Sequence, residues 1–117
     1  MKKEEFSLRT RKFGLRVIRL VTSLPRTSLA MVLGNQLLRA GTSVGANYRA
    51  AVRGKSRADF IAKMGTAEEE CDEALYWMEM LIESGLLRPK LVGALMLEGE
   101  EILRIVVASI KTARRNK

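Results

Sequence analysis

Apolar residues recur along this chain in alternating steps of three and four, the interval at which side chains return to one face of an α-helix. Phe13, Val17, Leu20 and Leu24 form the first stripe, widened by Ile18 and Val21, and predict a helix over about 7–23. Pro25 ends it, because proline has no amide hydrogen to give a helical carbonyl. Thr27 suits the cap of a second helix over about 27–53, with Leu33, Leu37, Ala40, Val44, Asn47 and Ala51 as its seam. Gly34, Gly41 and Gly45 run beside that seam. Each glycine costs about 1 kcal/mol relative to alanine in a helix. Three together predict close approach by another helix, with a loop over 40–45 as the alternative.

Gly54 marks the next break, and Ser56 with Asp59 has the spacing of a capping box. The clearest seam follows: Phe60, Met64, Ala67, Cys71, Ala74, Met78 and Leu81. Leu75 and Ile82 add a second edge, so a helix over about 57–84 should touch partners on two sides before Gly85 terminates it. Pro89 opens a fourth helix over about 89–113, carrying Leu91, Leu95, Ile102, Ile105, Val106 and Ile110. No period-two alternation persists, which argues against strands. Four helices joined by short turns predict an all-α fold, an up-down-up-down antiparallel four-helix bundle forming a single domain over 1–117.

Charge changes the picture more than composition does. The net charge is +8, but residues 1–60 hold 13 basic side chains against 3 acidic, and residues 61–100 hold 3 against 9. Such a division suits a polyanion on the basic parts, or acid-to-base contact between subunits. Asn47 interrupts an otherwise apolar seam, near Gln36, where a polar group fixes helix register if it is paired. Nowhere do about 18 uncharged apolar residues run together, so no membrane span is predicted. The lone Cys71 lies on the apolar seam, is expected to be buried and inert, and fits a reducing cytoplasm.

The chain contains no histidine, which removes Ser-His-Asp and Cys-His nucleophile systems and the usual neutral-pH base. One cysteine rules out a Cys-rich zinc site within the chain. Glu69 and Glu73 share a helix face, as do Glu70 and Glu73. Mg²⁺ coordination there is weighed against a solvated acidic face, or one paired with basic side chains of a neighbouring helix. The sequence therefore predicts no catalytic residues, no metal site, no cofactor and no enzyme. The best functional candidates are basic: Arg39, Arg49, Arg53, Lys55 and Arg57, extended from the first helix by Arg16 and Arg19. Guanidinium forks suit phosphate oxygens, and Tyr48 is the one aromatic nearby, so the set favours backbone or shape recognition over sequence readout.

The blocks Arg39-Ala40-Gly41-Thr42-Ser43-Val44-Gly45-Ala46-Asn47, Arg57-Ala58-Asp59-Phe60, Glu68-Glu69-Glu70-Cys71-Asp72-Glu73 and Tyr76-Trp77-Met78-Glu79, with the Leu24-Pro25 turn, carry a likeness that extends over most of the chain. Together they resemble the bacterial four helix bundle protein family, also called the 23S ribosomal RNA intervening-sequence protein family. Many of its members carry Asn-Ile-Ala-Glu-Gly where this chain has Asn47-Tyr48-Arg49-Ala50-Ala51, which puts any glutamate-based role in doubt here. The resemblance implies a homo-oligomer, a ring of five bundles. It also implies a setting near RNA: inside insertions of ribosomal RNA genes, or, in a related branch, as accessory proteins that join a reverse transcriptase and bind nucleic acid. The expectation is a cytoplasmic, non-enzymatic scaffold for RNA or a ribonucleoprotein, or alternatively a protein-interaction adaptor.

Overall fold

A computed structural model describes residues 1–116. It contains α1 (Lys3–Thr22), α2 (Ser28–Val52), α3 (Arg57–Glu83) and α4 (Pro89–Arg115). Among the described residues α1 packs on α2 and α4, and α3 packs on the same two, so the helices form a square whose diagonal partners keep their backbones apart. The α1–α4 side is the most sparsely packed. This is the antiparallel four-helix bundle, 49 Å long and 22 × 21 Å across.

The boundaries follow from local chemistry. Thr27 Oγ1 accepts from the Ala30 amide at 3.2 Å, and Ser56 Oγ accepts from the Asp59 amide at 3.0 Å. Asp59 completes this cap by accepting from the Lys55 amide, one residue before the position a capping box uses. At the end of α3, Gly85 takes a φ of +84°. The Leu86 amide then reaches the Leu81 carbonyl, and the Gly85 amide reaches that of Ile82. Those two bonds satisfy carbonyls that the helix end would otherwise leave bare.

Helix α1 begins at Lys3, earlier than the expected 7. Glu4 and Glu5 suit the positive end of the helix dipole, and Phe6, 4% exposed, anchors the extra turn edge-on against Tyr48 at 4.7 Å between centroids. Two residues expected in the core face outward: Ile18 is 41% and Leu91 72% exposed. Val92, fully buried, takes the inward place beside Leu91. Asn47 bonds the Ser43 carbonyl of its own helix at 2.8 Å, so it makes no cross-helix register contact.

The glycine stripe does what its spacing implies, since α2 is unbroken through 40–45. A Cβ at Gly41 would stand 2.7 Å from a Val17 methyl carbon, and one at Gly45 3.4 Å from the Thr10 backbone. Close approach of α1 to α2 is therefore built into these positions. Phe13, Leu37, Met64, Met78, Leu81 and Ile102 fill the centre with no exposed surface. Cys71 is buried among them, its thiol directed at the Gly99 carbonyl at 3.3 Å. Burial pushes the thiol up to about 12, which keeps it protonated and unreactive.

Candidate nucleic-acid interface

The alternating direction of the helices decides which charges become neighbours. The start of α1, the α2–α3 turn and the end of α4 share one end of the bundle. Met1, Phe6, Tyr48, Val52, Phe60 and Ile105 meet there around a crevice of about 210 Å³. Around them stand Lys2, Lys3, Arg49, Arg53, Lys55, Arg57, Lys111, Arg114 and Arg115, all exposed. The acids at this end are Glu4, Glu5 and Asp59, and Asp59 is taken by the Lys63 ammonium at 2.9 Å. That bond, with the Lys55 amide, holds the Asp59 carboxyl below its usual range. No carboxylate of the described residues lies within 4 Å of the side-chain nitrogens of those nine bases.

Four of the seven sequence candidates, Arg49, Arg53, Lys55 and Arg57, belong to this cluster. Arg16 and Arg19 do not: they are exposed further along α1. Arg39 lies midway along α2 with its guanidinium on Glu70 at 2.9 Å and on Glu73. Glu73 also accepts from Trp77 Nε1 at 3.3 Å. Arg39 is thus committed to joining α2 to α3, and the acidic run is partly spent on the same contact. The cluster gains five members that sequence spacing does not group with it: Lys2, Lys3, Lys111, Arg114 and Arg115. The basic tail is a visible signal, but only the antiparallel topology carries it to the α2–α3 turn.

A second feature adjoins this end. An open groove of about 820 Å³ runs between α1 and α2, with Lys3, Arg11, Arg49 and Arg53 along it. Its floor includes Leu8, Leu15, Ile18 and Val52, which are 37–50% exposed. On the opposite side of α1, Arg9 leaves the basic field altogether. Its guanidinium forks onto Glu98 through two 2.7 Å bonds and meets Glu101 at 2.8 Å, bridging the sparsely packed α1–α4 side. Those bonds hold Arg9 protonated more firmly than usual and pull the Glu98 carboxyl below its ordinary value. Among the described residues no group of three carboxylate or thiol side chains is placed to hold a metal ion, and no helix is long and apolar enough to cross a membrane.

An antiparallel four-helix bundle with one strongly basic end is the class that fold and charge define. The profile of the 23S rRNA-intervening sequence protein family matches residues 2–108, and the chain belongs to that family. The chain is similar to a solved protein of unknown function from the S23 ribosomal protein family of Bacteroides thetaiotaomicron VPI-5482, at 33% identity and a TM-score of 0.88. That likeness covers 95% of this chain and 99% of the other. No curated protein matches.

Proposed function

We propose that this protein is a non-enzymatic, oligomeric scaffold whose basic end grips the phosphate backbone of RNA or of a ribonucleoprotein. The observation that carries this reading is the convergence of exposed, unpaired cations from all four helix termini on one end of a 49 Å bundle. A cluster without internal carboxylate partners keeps its field for an external polyanion, and each phosphate it neutralises releases counterions. The bases ring an end with few aromatic faces available for stacking, which favours backbone over sequence recognition. The family's ribosomal RNA setting is consistent with the same partner. A homo-oligomer, five-membered as the resemblance implies, would multiply one modest site into several acting together.

Fluorescence anisotropy with a labelled structured RNA tests the reading. The double substitution Arg53→Glu with Arg57→Glu should weaken binding at least tenfold while the helical circular dichroism stays unchanged. Undiminished affinity would remove the basic end from the account. Incubation with Mg²⁺ or Mn²⁺ should leave the RNA intact, and cleavage by the purified chain would overturn the non-enzymatic part. The half-exposed apolar floor between α1 and α2 favours a second reading, a protein-interaction adaptor such as an accessory subunit for a reverse transcriptase. A pull-down that survives nuclease would favour that partner over RNA.

A further inference from the structure

We infer that the α1–α2 groove receives the acidic outer face of α3 from a second copy of this chain, joining copies head to tail. The inference rests on the assembly part of the proposed function and names the two surfaces that meet.

The groove side comes from α1. Leu8, Arg11, Leu15 and Ile18 follow one another at three, four and three residues, so they form one outward stripe. Leu8 is 50%, Leu15 49% and Ile18 41% exposed, an apolar line that a helix spends on solvent only at some cost. Arg11 on the stripe, Lys3 at its start and Arg49 and Arg53 across the groove supply positive charge, against one acid, Glu4. A bare phosphate strand would match those cations but not the leucine floor. The occupant that fits carries carboxylates together with apolar surface.

The chain itself presents such a surface. Glu69, Asp72, Tyr76, Glu79 and Glu83 repeat at three, four, three and four residues on α3, and all are exposed. At 3.6 residues per turn they fall within about 80° of the helix circumference. No basic residue interrupts them, and none of these carboxylates has an ion-pair partner among the described residues. The neighbouring Glu70 and Glu73 are held inward by Arg39, which leaves this stripe as the unspent acid of the helix. Tyr76, 50% exposed at its centre, is the ring that can cover Leu15. The lengths agree as well. Residues 3–18 of α1 span about 22 Å and residues 69–83 of α3 about 21 Å at 1.5 Å per residue.

Because groove and stripe are different surfaces of one molecule, the contact is heterologous and every copy offers one of each. That property supplies the test. Leu15→Glu disables only the groove, and Glu79→Arg with Tyr76→Arg disables only the stripe. All three positions are exposed, so the bundle should fold in each variant, as circular dichroism would verify. Light scattering across a concentration series should give wild type a mass of several chains and each variant alone the mass of one chain. An equimolar mixture of the two variants should give dimers and nothing larger, since only one competent groove meets one competent stripe. A wild type that assembles while either variant keeps its full mass, or variants that stay monomeric when mixed, would overturn the pairing and leave assembly standing. A wild type that is monomeric throughout would overturn both. If Leu15→Glu instead lowers RNA affinity with no change of mass, the groove belongs to nucleic acid and the inference fails.

Discussion

Replacing Gly41 by alanine sets two known effects against each other at one atom. Alanine in place of glycine inside a helix is worth about 1 kcal/mol in favour of folding. Here, however, the new Cβ would lie 2.7 and 2.8 Å from the two methyl carbons of Val17 and 3.1 Å from its Cβ. Carbon atoms rest comfortably at about 3.5–4.0 Å. Val17 has no exposed surface and a stiff, branched side chain, so it cannot swing clear. The helices must separate by several tenths of an ångström along a seam that also packs Thr10 against Gly45. Overpacking of this kind costs about 1–3 kcal/mol, which outweighs the propensity gain at most of that range. Gly65 supplies the control, because a Cβ there meets nothing within 4 Å. Gly65→Ala should gain about 1 kcal/mol and Gly41→Ala should lose about 1 kcal/mol, a separation of roughly 2 kcal/mol. Urea denaturation followed by circular dichroism, at one fixed protein concentration, reads both values. Equal stabilisation by the two alanines would refute the close-packed α1–α2 seam.

Two further outcomes are expected. Arg9→Ala should cost about 1–2 kcal/mol at neutral pH, since it removes a forked, partly buried ion pair from the sparsely packed α1–α4 side. The Glu98 carboxyl is depressed in the folded state, so its contribution is present above the ordinary glutamate range near about 4.3 and fades as pH falls through the lower folded value. Stability measured against pH should therefore show wild type and Arg9→Ala converging in acid; a gap that stays constant down to about pH 2 would contradict the pairing. Cys71 should react with a thiol reagent no faster than the protein opens, because it is fully buried and its thiol sits at about 12. Rapid labelling of the native protein would show that the α3–α4 seam is looser than described.

The helical seams were legible because burial on a helix leaves a rhythm of three and four that needs no knowledge of neighbours. The α3 seam from Met64 to Leu81 and the α2 residues Leu37, Ala40 and Val44 are inward as their spacing requires. The rhythm fails at helix ends. The polar run from Lys2 to Glu5 hid the first turn of α1, where one phenylalanine meeting Tyr48 is enough to order the chain. At the start of α4, Leu91 and Val92 are both apolar, and only the direction of approach to α3 decides which is buried. The candidate site was half legible for a related reason. Arg49, Arg53, Lys55 and Arg57 are sequence neighbours, so their shared location needed only one turn. Lys111, Arg114 and Arg115 lie more than 50 residues away and join them through the down-running α4. Arg39 shows the converse. The sequence groups it with Arg49 among the basic candidates, but its side chain meets carboxylates on α3 that sequence distance conceals.

The central claim is that cations of the bundle's basic end act together on a phosphate backbone, and the salt dependence of RNA affinity tests it most directly. Binding of a labelled structured RNA should fall steeply between about 50 and about 200 mM salt. Lys111→Ala, Arg114→Ala and Arg115→Ala combined should flatten the log–log slope by up to about 3 units, at roughly 0.9 for each phosphate no longer neutralised. Arg88→Ala with Lys90→Ala, at the opposite end of the bundle, should leave that slope unchanged. Affinity insensitive to salt, or equal losses from the two ends, would contradict the account.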